Sequence, residues 1–253
     1  MSKESPTLER IDPRWLNPNN LIKIWRGQTD IYPLSPIGVH FIWNEHKARY
    51  RFASQIALGE TLDISCGTGY GFNFLNSDKI KSYLGVDLNR KALARAKEVI
   101  RDKSNLELLQ LNANFTLPFQ DKSFDTIISF ETIEHITDQS KLLKEIERIL
   151  KDDGKFVVST SNKEVFSSNS NQPINHFHTK EFGISEFKTS LGLVFKKIKY
   201  YSQGELQDFE IKKPSSIQSR VNRIVGMLNG RQTSVLNMND NIPRYFVAVC
   251  SKF

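Results

Sequence analysis

The chain has 253 residues, of which 39% are hydrophobic and 25% charged, with a formal net charge of +7. That balance fits a globular chain long enough to bury a core and excludes a disordered polymer or a low-complexity scaffold. No run of about 18 apolar residues occurs, so no membrane span is expected. The stretch "MSKESPTLERIDPRW" has no segment of signal-peptide type. The two cysteines, Cys66 and Cys250, argue for a reducing, cytoplasmic setting and against a disulfide scaffold. Positive charge favours anionic partners such as nucleic acid, sugar nucleotides or acidic lipid surfaces; a solvated basic surface explains it equally.

In chain order, residues 1 to 50 read as an N-terminal lid or helical segment. They begin Pro-, Asn- and aromatic-rich and lead into a helix of mixed polarity, "NEHKARYRFASQIA". From residue 51 onward we expect one domain. Short apolar runs at 61–65, 82–87, 106–111, 125–130 and 155–160 predict buried strands. Between them "RKALARAKEVIRD" and "QSKLLKEIERILKDDG" have helical spacing, the second ending at Gly154 as a C-cap. Strand and helix in alternation predict an α/β fold with a doubly wound, mostly parallel sheet. Runs at 193–202 and 244–251 complete it, separated by an insertion over 203–243.

After the first strand comes "LDISCGTGYG". Gly67, Gly69 and Gly71 allow a sharp turn and close approach of a ligand to a helix N-terminus. Asp63 lies on the strand before the loop. Asp87 ends the second strand, about 20 residues beyond the glycines, where a carboxylate accepts both hydroxyls of a ribose. The other reading of Asp87 is a helix N-cap for "NRKALARA".

The segments "TLDISCGTGYG", "YLGVDLNRKALARAKE", "LPFQDKSFDTIISFETIEHI" and "LKDDGKFVVSTSN" resemble, in order and spacing, the class I S-adenosylmethionine-dependent methyltransferases. The resemblance implies a Rossmann-like sheet whose last strand is antiparallel. It implies that Asp63 and Gly67 face the methionine end of S-adenosylmethionine and Asp87 its ribose. Ser65, Cys66, Gly69, Leu88 and Phe130 would line the same cofactor. Adenine would fall to Asn112 or Asn114, where relatives often carry Asp. Ser65 replaces the first loop glycine and is small enough to keep the backbone path. "EHKARY" resembles a helix of a bacterial subgroup linked to polysaccharide and glycolipid synthesis. Within it Arg49 is either a partner of the cofactor carboxylate or a surface helix charge.

"ETIEHI" ends the 125–130 strand, at the edge where open α/β sheets bind ligands. Methyl transfer to an alcohol needs an aligned oxygen and removal of its proton. His135 is the candidate base. Glu131 and Glu134, three apart, would share a helical face and offer hard oxygens to a cation. "ExxEH" also resembles the metal segment of small-RNA 3′-terminal 2′-O-methyltransferases and ubiquinone-pathway O-methyltransferases. That resemblance implies Mg²⁺ held by Glu131, Glu134, His135 and one of His176 and His178, with the "H-x-K-E-F" spacing favouring His178. Metal-free base catalysis and simple helix capping are the other two readings.

The expected acceptor is a sugar hydroxyl of a nucleotide-linked, lipid-linked or polymeric glycan. RNA 2′-O-methylation is the runner-up, although no RNA-binding module or basic-aromatic stripe is seen, so no nucleic-acid partner is expected. A catechol- or quinone-type small molecule is a further alternative. The helix pattern "IQSRVNRIVGML" in the insertion would pack on its own domain or a second copy of the chain, or touch a membrane surface.

Overall fold

The computed structural model describes residues 36–100, 105–114, 116–167, 172–173, 175–206, 235–238 and 242–253. Helix α1 (Pro36–Ser54) comes first. Strands β1 (Gly59–Ile64), β2 (Ile80–Asp87), β3 (Leu106–Gln110), β4 (Phe124–Phe130) and β5 (Leu150–Ser161) follow, with helices α2 (Arg90–Val99) and α3 (Gln139–Ile149) between them. Short helix α4 (Lys163–Phe166), helix α5 (Ile184–Gly192) and strands β6 (Lys197–Leu206), β7 (Val235–Asn237) and β8 (Ile242–Ser251) complete the described elements.

The eight strands form one sheet in the order β3-β2-β1-β4-β5-β8-β6-β7. Strands β1 to β5 are mutually parallel, and β8 enters antiparallel between β5 and β6. This is the expected Rossmann-like α/β fold with an antiparallel last strand. The short β7 on the edge of β6 has no apolar run long enough to announce it.

Both faces of the sheet are covered, which is why the central strands read as continuous apolar runs rather than as alternation. Neighbouring residues of β4 enter opposite cores. Ile127 packs with Leu142, Ile146 and Ile149 of α3 and Phe187 of α5, whereas Ile128 packs with Trp43, Tyr50 and Ala53 of α1. Asn89 caps α2 by accepting from the Lys91 and Ala92 amides, and Asp138 caps α3 through Lys141.

Three boundaries differ from expectation. Helix α3 stops at Ile149, and Gly154 is a residue of β5 rather than a C-cap. The ladder jumps from Phe124↔Leu150 to Thr126↔Lys155, so a bulge absorbs "KDDG" into the strand. Helix α1 runs through residue 50, where a domain boundary was expected. The 203–243 insertion begins inside β6 and ends inside β8; its "IQSRVNRIVGML" pattern lies outside the described residues. No described helix is long and apolar enough to cross a membrane. Cys66 and Cys250 are both buried free thiols.

Candidate active site

The C-terminal ends of β1, β2 and β4 meet at the glycine loop, the crevice position for ligands of open α/β sheets. Ser65, expected to replace the first loop glycine, adopts the left-handed conformation with φ 63°. Gly67 follows at φ 59°, and a Cβ there would meet nothing within 4 Å, leaving room for a ligand against the bare backbone. Gly71 serves a different purpose. A Cβ on it would lie 2.2 Å from the Tyr50 ring, so only glycine lets α1 close on the loop.

Asp87 is buried, and its two oxygens accept from the Gly67 amide at 2.9 Å and the Asn89 amide at 2.7 Å. It ties the loop to β2, while the N-cap of α2 is Asn89, which removes the capping alternative for Asp87. Each carboxylate oxygen retains acceptor capacity for a ribose hydroxyl. Leu88 beside it is exposed. Asn114 donates to Asn112 Oδ1 at 3.2 Å and accepts from the Thr137 amide at 2.8 Å. Those bonds engage both ends of the Asn114 carboxamide.

Asp63 is a strongly perturbed carboxyl. Its Oδ2 accepts from the Tyr50 hydroxyl at 2.9 Å and the Tyr83 hydroxyl at 2.5 Å. Burial drives its pKa up to about 7, the two tyrosine hydroxyls offsetting only part of the cost. Its Oδ1 is buried without a hydrogen-bond partner among the described residues. Phe130 packs edge-on against Tyr50 with ring centroids 5.1 Å apart. Cys66 lies buried beneath the loop, and burial pushes its thiol far above the ordinary value, so it is inert packing there.

Arg49 is wholly buried, which excludes its reading as a surface helix charge. Its Nη1 donates to Gln203 Oε1 at 2.7 Å, and its guanidinium lies 4.7 Å from the centroid of the Tyr245 ring. Nε and Nη2 have no hydrogen-bond partner among the described residues. Burial opposes the Arg49 charge, but the carboxylates of Glu131 and Glu45 outweigh it and hold the pKa above its usual value. Glu45, one turn earlier on α1, accepts from Arg244 Nε at 3.0 Å. Burial raises the Glu45 pKa against the pull of Arg244 and Arg49.

At the end of β4 the structure departs from the four-ligand metal set. Glu131 has φ 48° and lies outside the 3₁₀ turn Ile133–His135, so no shared helical face exists. Its Oε1 accepts from Ser159 Oγ at 2.8 Å, whereas Glu134 Oε1 accepts from the Ser161 amide at 3.2 Å. These anchors are two residues apart on β5, roughly 7 Å along a strand. Two oxygens on one ion, each at about 2.0–2.6 Å, span less than that. His178 has both ring nitrogens engaged, Nδ1 with Glu181 at 2.8 Å and Nε2 with Asn175 at 2.9 Å. Among the described residues no three His, Cys, Asp or Glu side chains are arranged to hold a metal ion. The donors therefore do not fit Mg²⁺, and no step is derived through one. His176 is exposed and joins no cluster.

At His135 the backbone fixes the ring tautomer. Its Nδ1 lies 2.8 Å from the Phe177 carbonyl, which only accepts. Nδ1 therefore carries the proton, and Nε2 is the proton-accepting nitrogen of the neutral ring. The His178 ring packs edge-on against it, centroids 4.9 Å apart.

Sequence reasoning missed Glu45, Tyr50, Tyr83, Gln203, Arg244 and Tyr245. "EHKARY" contained part of the signal, since Glu45 and Arg49 are four apart on one helical face. Nothing local marks the strand residues, because their meeting with α1 depends on register across β6 and β8.

Residues 62–158 match the family model of a methyltransferase domain. With the fold, the match makes this segment similar to methyltransferase domains. Among curated relatives, a protein of Mycobacterium tuberculosis (strain ATCC 25618 / H37Rv) named "Probable S-adenosylmethionine-dependent methyltransferase Rv3030" is 31% identical over 153 residues, 60% of this chain and 54% of that protein. The ubiquinone/menaquinone biosynthesis C-methyltransferase UbiE of Cronobacter sakazakii (strain ATCC BAA-894) is 31% identical over 149 residues, 56% of this chain and 55% of UbiE. The crystal structure of the YcgJ protein of Bacillus subtilis superposes with a TM-score of 0.55 at 20% identity, covering 81% of this chain and 98% of YcgJ. The chain spans about half the length of these two curated relatives.

Proposed function

We propose that the chain transfers the methyl group of S-adenosylmethionine to a hydroxyl of a sugar in a nucleotide-linked, lipid-linked or polymeric glycan. The observation that carries the cofactor part is a pair of buried orphans of complementary type: Asp63 Oδ1, an acceptor, and Arg49 Nε with Nη2, donors. An unmatched buried donor or acceptor costs about 1–3 kcal/mol, more when charged. A zwitterionic amino-acid end satisfies both, its ammonium meeting Asp63 and its carboxylate meeting Arg49.

When bound, the sulfonium supplies a methyl group to an acceptor oxygen, and its sulfur keeps the electron pair of the broken C–S bond. Asp87 and the bare backbone at Gly67 orient the ribose, and Asp63 with Arg49 orients the opposite end. His135 Nε2 takes the hydroxyl proton as the new O–CH₃ bond forms, and Phe177 holds the ring in the tautomer that permits it. Support for a sugar acceptor lies in "EHKARY", the segment that resembles the glycan-associated subgroup.

Because one relative bears the name of a quinone-pathway C-methyltransferase, a quinone-type ring is the second reading. A panel of sugar nucleotides, glycolipid precursors, quinone precursors and short RNAs, incubated with methyl-labelled S-adenosylmethionine, separates them. Label is expected on a carbohydrate hydroxyl. Labelled quinone precursor or RNA 3′ ends, with no glycan turned over, would discard the sugar acceptor.

A further inference from the structure

The guanidinium of Arg49 is held by residues far from the matched segment. Gln203 on β6 and Tyr245 on β8 are register partners, side by side across the antiparallel ladder. Gln203 accepts from Arg49 Nη1 at 2.7 Å and donates through Nε2 to the Glu45 carbonyl at 2.9 Å, so one carboxamide grips α1 at two residues one turn apart. Tyr245 covers the guanidinium face, with the arginine carbon 4.7 Å from its ring centroid. Both side chains are buried. Together they restrain rotation of the guanidinium about its long side chain. The edge they leave open, Nε and Nη2, is the side that meets a carboxylate with two parallel hydrogen bonds.

We infer that Gln203 and Tyr245 are positioning residues that hold Arg49 for the α-carboxylate of the bound cofactor, an inference that rests on the cofactor reading above. Neither belongs to the 62–158 segment. Gln203 also pairs through its backbone with Val235 of β7, so the strand that orients Arg49 precedes the 207–234 stretch and pairs with the strand that follows it. The carboxylate end of the site is therefore set by the β6–β8 half of the sheet, while the adenosine end is set by β1 and β2.

Calorimetry on the full chain tests the clamp with two ligands, S-adenosylhomocysteine and its decarboxylated analogue, which lacks only the α-carboxylate. Gln203→Met keeps the volume and removes the acceptor. It should weaken S-adenosylhomocysteine about tenfold, as expected for loss of alignment in a charge-assisted contact, and leave the decarboxylated analogue within about twofold. Gln203→Glu, which keeps an acceptor for Nη1, should restore most of the loss. Tyr245→Leu removes the ring face, should show the same selectivity, and carries the test should Gln203→Met fail to fold. Equal weakening of both ligands in a variant with native thermal unfolding, or unchanged S-adenosylhomocysteine affinity, overturns the clamp alone. Absence of binding by the unaltered chain overturns the cofactor reading as well.

Discussion

Asp63 links the site to pH through one proton. Folding raises its pKa from the carboxylate range to about 7 because burial penalises the charge. The folded chain therefore binds this proton more tightly than the unfolded chain, and the contribution of Asp63 to stability is present at low pH and lost as pH rises through 7. A cofactor ammonium prefers the ionised carboxyl, so the sign for binding is opposite. S-adenosylhomocysteine should bind about tenfold more tightly at pH 8 than at pH 6, the ratio of ionised Asp63 at the two values. Asp63→Asn should flatten that dependence; calorimetry at both pH values that finds the wild-type slope in the variant would remove Asp63 from the ammonium site. A second residue-scale expectation concerns the end of β4. His178 has spent both ring nitrogens on Glu181 and Asn175, so methyl transfer should persist in EDTA after dialysis. His135→Ala should lower turnover by about 100-fold or more, the usual scale of a general base. Activity that collapsed on chelation and returned with Mg²⁺ would reinstate the four-ligand set.

At the scale of elements, the junction of α1 with the glycine loop is the tightest constraint. Tyr50 reaches across Gly71 to Asp63, so one helix residue touches both the loop and β1. Gly71→Ala must push the Tyr50 ring aside and break its bond to Asp63. The expected cost is about 1–3 kcal/mol, typical of overpacking, accompanied by weaker cofactor binding. Denaturant unfolding reads the first effect and calorimetry the second. A variant as stable as wild type would show that the ring moves freely. The loop was legible from its glycines, whereas the left-handed conformation of Ser65 was not, because a residue with a Cβ rarely adopts it and only the folded loop imposes it. The role of Gly71 was not legible, because what it avoids lies about twenty residues earlier on another element.

For the whole molecule, α1 is part of the domain rather than an appendage to it. Trp43, Tyr50 and Ala53 fill the core on one sheet face together with Ile128 and Val157. Burying one large apolar side chain contributes about 1.5–3 kcal/mol, against a total domain stability of about 5–15 kcal/mol. A chain that begins at residue 51 should therefore lose cooperative thermal unfolding, as measured by circular dichroism. A sharp transition in that fragment would restore the boundary at residue 50.

Local pattern determined the alternation of strands and helices, the mostly parallel sheet, and the crevice with Asp63, the glycines and Asp87, whereas the antiparallel last strand was implied by the family resemblance alone. The locally patterned features were readable because each depends on spacing within about twenty residues: period, turn chemistry, and the distance from loop to second acidic residue. The end of α3 was misplaced because the bulge at "KDDG" is a property of the β4–β5 ladder and not of the helix. The metal set failed for a related reason. Glu131, Glu134 and His178 have suitable chemistry in sequence, but Ser159, Ser161, Glu181 and Asn175 compete for the same lone pairs and protons, and only folding brings those competitors in. Arg49 shows the reverse. In sequence it is one more charge on a mixed helix; in the fold it is a buried guanidinium held by Gln203 and Tyr245, whose meeting with it requires the register of two antiparallel strands some 150 to 200 residues away along the chain.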